Sequence, residues 1–521
     1  MEYILFISLK KIYLLPKKVR IIYCNINRPK FSNLITISFL LSVSYVAKSE
    51  IITAQSVNRD DVQSSVDMAN DGDVVVIPPG NATWSSRLII QDKAITLKGA
   101  GIGTTVITDE TGGAWQDNAI FLNTKAHKSY RVCHITFKRA SSSTRAIIGV
   151  WGSSNSVRID HCEFVDIHSR AIEVQHGVYG VTDHCYFDVN VDATVQCISI
   201  FGAGDAAWEH GPAFGSDNFW FIEDCIFDEE YANDGVLDAY GGARYVFRHN
   251  TIYGGWIGHH GLDSGGYRSP HAFEIYENTW NNDTGDPVRF YFFRGGTGVV
   301  FNNTHIGEPA GGAEGNSIVL ASYRSNKAYS PWGKLDGTSP IDGNTPITTI
   351  THSGANNSDY LINSTNNWVE NQLVGLGLIN SSDGFSSGII TSNTENSITA
   401  TLSGGTENTF NNGDSIIITD GYPGMDQIGR TGPTVDHGYY RQQASSPLYE
   451  WGNTYNGTDL NFVVSRTYAL DHRHIQEGRD YHNDTQKPGY SPYTYPHPLT
   501  NVSSRKTTDN APAPPSSLTA E

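Results

Sequence analysis

Three acidic residues that lie close together in the sequence could bind a hard cation. Glu223 ends an alternating segment, and Asp234 and Asp238 stand at the two ends of the motif Asp-Gly-Val-Leu-Asp that follows it. Calcium takes several oxygen ligands, and carboxylates gathered in one small volume supply them. We therefore predict a Ca²⁺ site at Glu223, Asp234 and Asp238, with a solvated acidic turn as the alternative.

The segment that ends near Glu223 is one copy of a repeat. Nearly the same eight residues recur between Val132 and Ile306, and one position of the repeat is Cys or Asn in most copies. This position falls at Ile135, Cys162, Cys185, Cys225, Asn250, Asn278 and Asn303. Each copy alternates apolar and polar residues and ends in Gly, Asn or Asp, which is typical of strands and turns. Because a period of roughly 20–50 residues indicates stacked units, we predict an all-β chain folded as a right-handed parallel β-helix.

Stacking places equivalent residues in columns along the coil. One inward column is apolar and contains Phe137, Phe164, Phe187, Phe227, Ile252 and Trp280, and the Cys/Asn positions form another. Two residues before the Cys/Asn position, an outward column contains Asp160, Asp183, Glu223, Arg248 and Tyr276. Neighbouring strands lie about 4.8 Å apart, so three carboxylates in line are unfavourable unless a cation or an arginine lies among them.

Composition and the N-terminal segment bear on partners and location. The chain has 521 residues and a net charge of -18, which argues against nucleic acid as a partner. An apolar run from Leu34 to Ala47, preceded by Arg28 and Lys30, is typical of a signal peptide and is too short to favour a membrane-spanning helix. We expect an exported monomer, extracellular or at the cell surface, with no membrane span in the mature chain.

Shifts in composition divide the chain into six segments. Residues 1–49 are predicted to be a signal peptide with an upstream extension, and residues 50–72 an N-terminal cap containing a short helix. Residues 73–344 form the coil, and residues 345–421 an inserted antiparallel β module rich in Asn, Ser and Thr. Residues 422–500 are predicted to be the final rungs and a closing segment. Residues 501–521 are a Pro-rich linker, similar to the lead-in of a fibronectin type III domain.

From Asp217 to Asn303 the chain resembles the calcium-dependent pectate lyases of the pectate lyase superfamily. The resemblance rests on Phe221-Ile-Glu-Asp-Cys225, Asp234-Gly-Val-Leu-Asp238 and Phe247-Arg-His-Asn250. It implies a parallel β-helix, calcium held by the three acidic residues, and cleavage of an acidic, uronate-containing glycan by β-elimination. The family's catalytic lysine and the first arginine of its Arg-x-Pro-x-x-Arg motif have no counterpart here, so its catalytic residues do not carry over.

Elimination from a uronate requires a neutralised carboxylate, a base for the C5 proton and a proton for the leaving oxygen. The nearest candidates for the catalytic groups are Arg268, Arg289 and His260. Arg248 and Arg294 are predicted to bind the acidic polymer, because a guanidinium pairs well with a carboxylate. Trp256 is predicted to stack on a sugar ring.

Two other functions fit the same fold, because one fold hosts many activities. A glycoside hydrolase would use two carboxylates as acid and base, and Asp263 and Glu274 are the candidate pair. A non-catalytic adhesin would bind glycans through exposed tryptophans, for which Trp208, Trp256 and Trp332 are the candidates.

Overall fold

Three long sheets form the body of the molecule. The structure, a computed structural model, describes residues 49–112, 118–139, 146–189, 196–229, 235–261, 268–282, 289–309, 314–322, 324, 335, 346–419, 424–437, 440–466 and 475–501, and two short strands before them. Each turn of the coil passes through the first, second and third sheet, and strands of successive turns pair in parallel. The chain therefore has the predicted right-handed parallel β-helix fold.

The strands of the first sheet are Ile51–Thr53, Val74–Val76, Thr96–Lys98, Tyr130–Cys133, Val157–Asp160, Gly180–Asp183, Trp220–Glu223, Arg244–Arg248, Ala272–Tyr276, Thr297–Phe301, Leu448–Trp451 and Tyr481–His482. Those of the second are Gly80–Trp84, Thr105–Asp109, Thr136–Arg139, Glu163–Val165, Tyr186–Val189, Ile226–Glu229, Thr251–Tyr253, Thr279–Asn282, Thr304–Gly307, Thr454–Tyr455 and Thr458–Asp459. Those of the third are Leu88–Gln91, Ile120–Thr124, Ala146–Gly152, Arg170–Gln175, Gln196–Phe201, Gly235–Tyr240, Trp256–His259, Tyr291–Phe293, Ile318–Leu320 and Phe462–Val464.

Smaller elements accompany the coil. The helix Arg59–Met68 buries Val62 and Val66 against the core of the coil, as the capping helix was predicted to do. The inserted module has its own core and is a six-stranded antiparallel sheet of Pro346–Thr351, Tyr360–Ile362, Gly377–Asn380, Ser386–Asn393, Ser397–Ala400 and Ser415–Thr419. A hairpin joins Arg430–His437 to Tyr440–Ser445, and 3-10 helices cover Gly204–Glu209 and Pro498–Asn501.

The first 47 residues form a separate unit, in which Ile12–Leu14 pairs with Arg20–Ile22. The signal peptide predicted for residues 1–49 falls almost wholly outside the described residues and stays a prediction. Within the described ranges, no helix combines the length and the apolar character needed to cross a membrane.

Both predicted inward columns are present. The rings of Phe137, Phe164, Phe187 and Phe227 stack with centroids 5.3, 5.0 and 4.6 Å apart. In the other column, buried free thiols give way to asparagines. Asn250 donates to the side-chain oxygen of Asn278 at 3.0 Å, Asn278 to that of Asn303 at 2.9 Å, and Asn303 to that of Asn453 at 2.8 Å. Each of the four side-chain oxygens also accepts a hydrogen bond from a backbone N–H. The amides therefore provide partners for the buried backbone donors at the corner between the first and second sheets.

The residue before each Cys or Asn makes this corner. His161, His184, Asp224, His249 and Glu277 have φ angles of 49 to 57°, in the left-handed region that non-glycine residues adopt only at turns. This conformation turns the chain out of the first sheet and into the second. The Asp-His-Cys triplets of the repeat are therefore structural: the first residue faces outward, the second turns the chain, and the third enters the core.

Arginines relieve the predicted repulsion in the outward column. Asp160, Asp183 and Glu223 are in register on adjacent strands and are fully buried. Arg131 binds both oxygens of Asp160 at 2.6 and 2.5 Å, and Arg158 binds both oxygens of Asp183 at 2.8 and 2.7 Å. Against the effect of burial, Arg131 and His161 lower the pKa of Asp160. The condition set by the sequence, an arginine among the carboxylates, is met.

The C-terminal strap, residues 489–501, lies along the outer face of the first sheet. Tyr490 donates to Glu274 at 2.6 Å at one end, and Arg158 donates to the carbonyl of Thr500 at 3.3 Å at the other. Between them the strap packs Tyr493 and Leu499 on an apolar patch that includes Phe221. The segment predicted to close the coil therefore runs along its side, where it covers an apolar patch of an outer face that also carries Asp160, Asp183 and Glu223.

A buried histidine predicts how stability depends on pH. His305 occupies the inward phenylalanine column and stacks on Trp280 with centroids 4.8 Å apart. Burial lowers the pKa of His305 from 6.5 to about 3, so the unfolded chain binds a proton that the folded chain excludes. Its contribution is intact above the unfolded pKa and is lost as pH falls below it. The wild-type protein should therefore lose unfolding free energy when the pH falls from about 7 to about 5. In His305→Phe this loss should be smaller by about 2 kcal/mol.

Chemical unfolding at the two pH values measures this difference. Trp280→Phe is the control, because it alters the same column without a titrating group and should shift both values equally. An unchanged pH dependence in His305→Phe would show that His305 does not contribute to it.

Candidate functional site

The outer surface of the third sheet gathers most of the predicted site residues. Ile172, Val174, Leu237 and Ala239 belong to the core, so the residues that alternate with them face outward. Paired positions give two outward columns, which we call the third-sheet face. One column contains Glu173, Ser199, Asp238, Gly258 and Phe292. The other contains the paired residues Gln175, Phe201 and Tyr240. Extending the register beyond the paired residues adds Trp151 at one end and His260 and Arg294 at the other.

His260 and Asp238 form an imidazole–carboxylate pair on this face. Nδ1 of His260 lies 2.6 Å from Oδ1 of Asp238. Asp238 is nearly buried, whereas 36% of the His260 side chain is exposed. When Nδ1 carries the proton and donates a hydrogen bond to Asp238, Nε2 has a free lone pair. Nε2 can then accept a proton from a bound molecule. The adjacent His259 faces the core and bonds the Tyr245 hydroxyl at 2.7 Å, so it cannot act on a substrate.

Tyr240 lies beside His260 on the neighbouring rung, with the ring centroids 6.3 Å apart. Burial raises the pKa of Tyr240; Arg170 opposes this shift, and Asp238 and Glu173 add to it. The phenol therefore stays protonated at neutral pH and can donate its proton or a hydrogen bond. Tyr240 thus brings an acid next to the potential base.

Glu173 adds a second carboxylate to the face, two rungs from Asp238. Its side chain is almost fully buried and accepts a hydrogen bond from Nε2 of Gln175 at 2.9 Å. On the same rung, Arg170 directs Nε and Nη2 toward the side-chain oxygen of Gln196 at 3.3 and 3.2 Å. This part of the face therefore offers both donors and acceptors to a ligand.

The guanidinium groups of Arg289 and Arg294 and the indole of Trp256 lie on the side of His260 that is away from Tyr240. The guanidinium carbons of Arg289 and Arg294 lie 4.0 and 5.5 Å from the ring centroid of Phe292, and Nε of Arg294 also donates to the carbonyl of His259. Trp256 packs over Gly258, where a Cβ atom would come within 2.1 Å of the indole. Stacking on Phe292 holds both positive charges at the surface beside His260, where they can meet an anionic ligand.

Three of the predicted site residues, Asp238, His260 and Arg294, therefore belong to the third-sheet face, and two more, Trp256 and Arg289, pack against Gly258 and Phe292 of that face. Glu223 and Arg248 do neither, and nothing in their described surroundings supports the predicted roles. They lie on the first sheet, each with 0% exposure. Arg248 binds Oε2 of Glu223 at 2.8 and 2.6 Å and donates to the carbonyls of Tyr493 and Thr494 in the strap at 2.8 and 2.9 Å. The sequence placed them correctly in an outward column, but the strap covers that column.

The surroundings of Arg268 do not support its predicted catalytic role either. Its guanidinium binds both carboxylate oxygens of Asp426 at 2.7 and 2.6 Å and lies 4.3 Å from the ring centroid of Trp208. Arg268 is nearly buried, and it links the coil to a segment more than 150 residues further along the chain. Trp208 is itself buried and cannot serve as an exposed sugar platform, and Trp332 lies outside the described residues.

The predicted calcium ligands do not fit one site. Glu223 is paired with Arg248 beneath the strap, Asp238 faces outward from the third sheet, and Asp234 lies outside the described residues. Among the described residues, two other groups bring possible metal ligands within 4.8 Å of one another, Cys133, His134 and Asp160, and Asp160, His161 and Asp183. Both groups share Asp160, whose two oxygens are already bound by Arg131. No step of the proposed chemistry is therefore assigned to calcium.

The predicted hydrolase pair is not assembled either. Glu274 is on the first sheet, fully buried under the strap, where it accepts hydrogen bonds from Tyr490 at 2.6 Å and the backbone of Gly215 at 2.7 Å. Asp263 lies outside the described residues. A hydrolase on this coil would have to use other carboxylates.

Glu173, Tyr240 and Trp151 belong to the third-sheet face but are not among the predicted site residues. A signal for the first of them is present, because the alternation in Arg170-Ala-Ile-Glu-Val-Gln175 places Glu173 outside. The loops between strands differ in length, however, so the sequence does not show which outward residues of different repeats lie in register. Only the pairing of the strands provides that alignment.

Comparison with known proteins shows the fold alone. No protein-family model matches the chain, and no curated protein matches it in sequence. An alginate lyase from Paenibacillus sp. str. FPU-7 is 14% identical, with 49% of this chain and 95% of that chain covered and a TM-score of 0.32. A mannuronic acid specific polysaccharide family 6 lyase from human gut microbiota is 13% identical, with 52% and 80% covered and a TM-score of 0.27. A pectin methylesterase in complex with a hexasaccharide is 12% identical, with 46% and 90% covered and a TM-score of 0.26.

All three are parallel β-helix proteins. The parallel sheets of the chain itself confirm the fold that the resemblance to pectate lyases implied. At such low identity the likeness carries no information about substrate or reaction, which must be argued from the third-sheet face.

Proposed function

We propose that the protein is an exported polysaccharide lyase that cleaves a uronate-containing glycan by β-elimination on the third-sheet face. The observation that carries the proposal is the Asp238–His260 pair, whose exposed imidazole lies beside the protonated phenol of Tyr240. Elimination needs a base and an acid at neighbouring carbons of one sugar ring, and this pair of rungs supplies both.

In the proposed reaction, Nε2 of His260 takes the proton from C5 of the uronate. Asp238 accepts the hydrogen bond from Nδ1 and stabilises the imidazolium that forms. The C5 electrons form the C4–C5 double bond, the bond from C4 to the glycosidic oxygen breaks, and Tyr240 gives that oxygen its proton. Solvent then returns a proton to the tyrosinate and removes one from His260.

The arginines of the face have a separate role. A uronate carboxylate raises the cost of removing the adjacent C5 proton, because the carbanion adds charge next to an anion. Arg294, next to His260 along the column, is positioned to pair with that carboxylate, and Arg289 lies beside it on Phe292. A guanidinium there lowers the barrier by accepting the developing charge.

A glycoside hydrolase is the second candidate, and Glu173 is the observation that favours it. Glu173 and Asp238 are aligned through Ser199, which separates their Cα atoms by about 9.6 Å. Inverting hydrolases hold their two carboxyl groups roughly 6.5–9.5 Å apart, and the Cα separation of Glu173 and Asp238 lies just above the upper end of that range. The hydrogen bond from His260 to Asp238 favours the lyase, because in this pair the carboxylate orients a base.

Product analysis tests the proposal directly. The protein is incubated with a panel of uronate-containing polymers, with calcium or with a chelator, and both unsaturated-product absorbance and reducing ends are followed. A lyase gives both signals. Reducing ends without absorbance would favour hydrolysis, and neither signal across the panel would contradict both enzymatic functions. The chelator arm tests the sequence prediction of a calcium requirement.

Tyr240→Phe should lower kcat about a hundredfold and leave KM close to the wild-type value. The ring and its packing against Phe201 remain, but the proton for the leaving oxygen is lost. Initial rates of unsaturated-product formation measure the effect. Tyr253→Phe, on the second sheet, is the matched control and should retain wild-type kinetics; an equally active Tyr240→Phe would exclude the phenol as the acid.

A further inference from the structure

An aromatic line extends the third-sheet face away from the proposed reaction centre. Trp151, Phe201 and Tyr240 occupy one outward column, with Gln175 on the rung between the first two. His260 follows Tyr240, so Trp151 stands four rungs, about 19 Å, from the imidazole. The line runs along the axis of the coil.

Neighbouring rings fix the position of Trp151. Its ring centroid lies 5.8 Å from that of Phe121 at an interplanar angle of 61°, and 5.3 Å from that of His176 at 74°. The guanidinium of Arg87 covers Phe121 at 5.5 Å. Phe121 is buried, but Trp151 is only partly buried although it lies on a strand of the sheet. A large apolar ring is therefore held in place with part of its surface in water.

Between Trp151 and Tyr240 the face carries polar groups beside the ring of Phe201. Glu173, Gln175 and Ser199 bring a carboxylate, an amide and a hydroxyl there, each buried. Sugar rings present C–H groups on their faces and hydroxyls at their edges, so they match an aromatic ring beside such polar groups. Successive sugars of a chain laid along the coil axis would meet this surface in order.

We propose that Trp151 forms a distal sugar-binding subsite, so that the third-sheet face holds a polysaccharide segment several sugars long. The inference rests on the proposed function for the reaction at the other end of the face. The inference itself concerns binding only. A long glycan contacts Trp151, whereas a short one bound at His260 does not reach it.

Binding measured without turnover tests this proposal. In a His260→Ala background, the affinities for a size series of uronate oligosaccharides, from the disaccharide upward, are compared with and without Trp151→Ala. We expect Trp151→Ala to weaken binding of the longest members roughly tenfold and to leave the shortest unchanged, and Trp151→Phe to restore most of the affinity. Trp451→Ala, on the first sheet, is the control.

Equal weakening at every length, or no weakening at any length, would overturn the subsite. The outcome is separate from that of the proposed function, because binding is read without cleavage. If the wild-type protein binds the series in a length-dependent way that needs Trp151 but produces no unsaturated product, the subsite stands and the lyase does not. Thermal unfolding of the Trp151 variants shows that the comparison is made on folded protein.

Discussion

Replacing His260 by alanine should lower kcat for unsaturated-product formation by about a hundredfold to ten-thousandfold. The imidazole is the described base candidate on the third-sheet face that combines an exposed ring with a carboxylate 2.6 Å from Nδ1. Without it, the acid–base groups described on the neighbouring rung are Asp238, which is nearly buried, and Tyr240, which is protonated. Because the ring is partly exposed and outside the core, the unfolding free energy should change little.

Two further variants separate the roles within the pair. His260→Gln can still hydrogen-bond Asp238 but cannot take a proton, and it should be as inactive as His260→Ala. Asp238→Asn keeps the shape and should reduce kcat more than it changes KM, because Asp238 acts through His260. His168→Ala, in the turn before the strand Arg170–Gln175, is the control. Wild-type rates in His260→Gln would exclude general base catalysis by this residue.

Replacing Arg248 by methionine should lower the free energy of unfolding by about 3–5 kcal/mol, because it leaves the buried carboxylate of Glu223 without its partner. Burial raises the pKa of Glu223, and Arg248 opposes that rise, so the pKa should rise further in the variant. When burial raises the pKa of a carboxyl group, the free energy of unfolding falls as the pH increases above the ordinary pKa of that group, which is 4.5 for glutamate. The destabilisation should therefore be larger at neutral pH than near pH 4.5.

The double variant Glu223→Leu/Arg248→Met should recover most of the loss, because it removes the unpaired charge and fills the space with apolar side chains. Specific activity per folded molecule should be unchanged in both variants, since the pair lies under the strap. Arg294→Met is the matched control on the third-sheet face and should reverse the pattern, with lower activity and little change in stability. Loss of activity in folded Arg248→Met would restore the substrate-binding role that the sequence suggested.

The repeat by itself determined the fold, the inward columns and the membership of the outward column. These features depend on the alternation of apolar and polar residues within a strand and on the recurrence of the motif from strand to strand. Both patterns can be read directly from the sequence. The repeat also required a cation or an arginine among Asp160, Asp183 and Glu223, and the structure supplies Arg131, Arg158 and Arg248.

Only the tertiary structure decided which outward residues face solvent and which of them lie together. Glu223 and Asp238 are close in sequence, but a corner and a second sheet separate them, because each turn of the coil passes through three sheets. Arg248 is outward but buried, because a strap from more than 240 residues later in the chain covers its sheet. Tyr240 and Glu173 join His260 through strand register across loops of unequal length. Contacts between residues far apart in sequence depend on how these segments pack, and local pattern does not encode that packing.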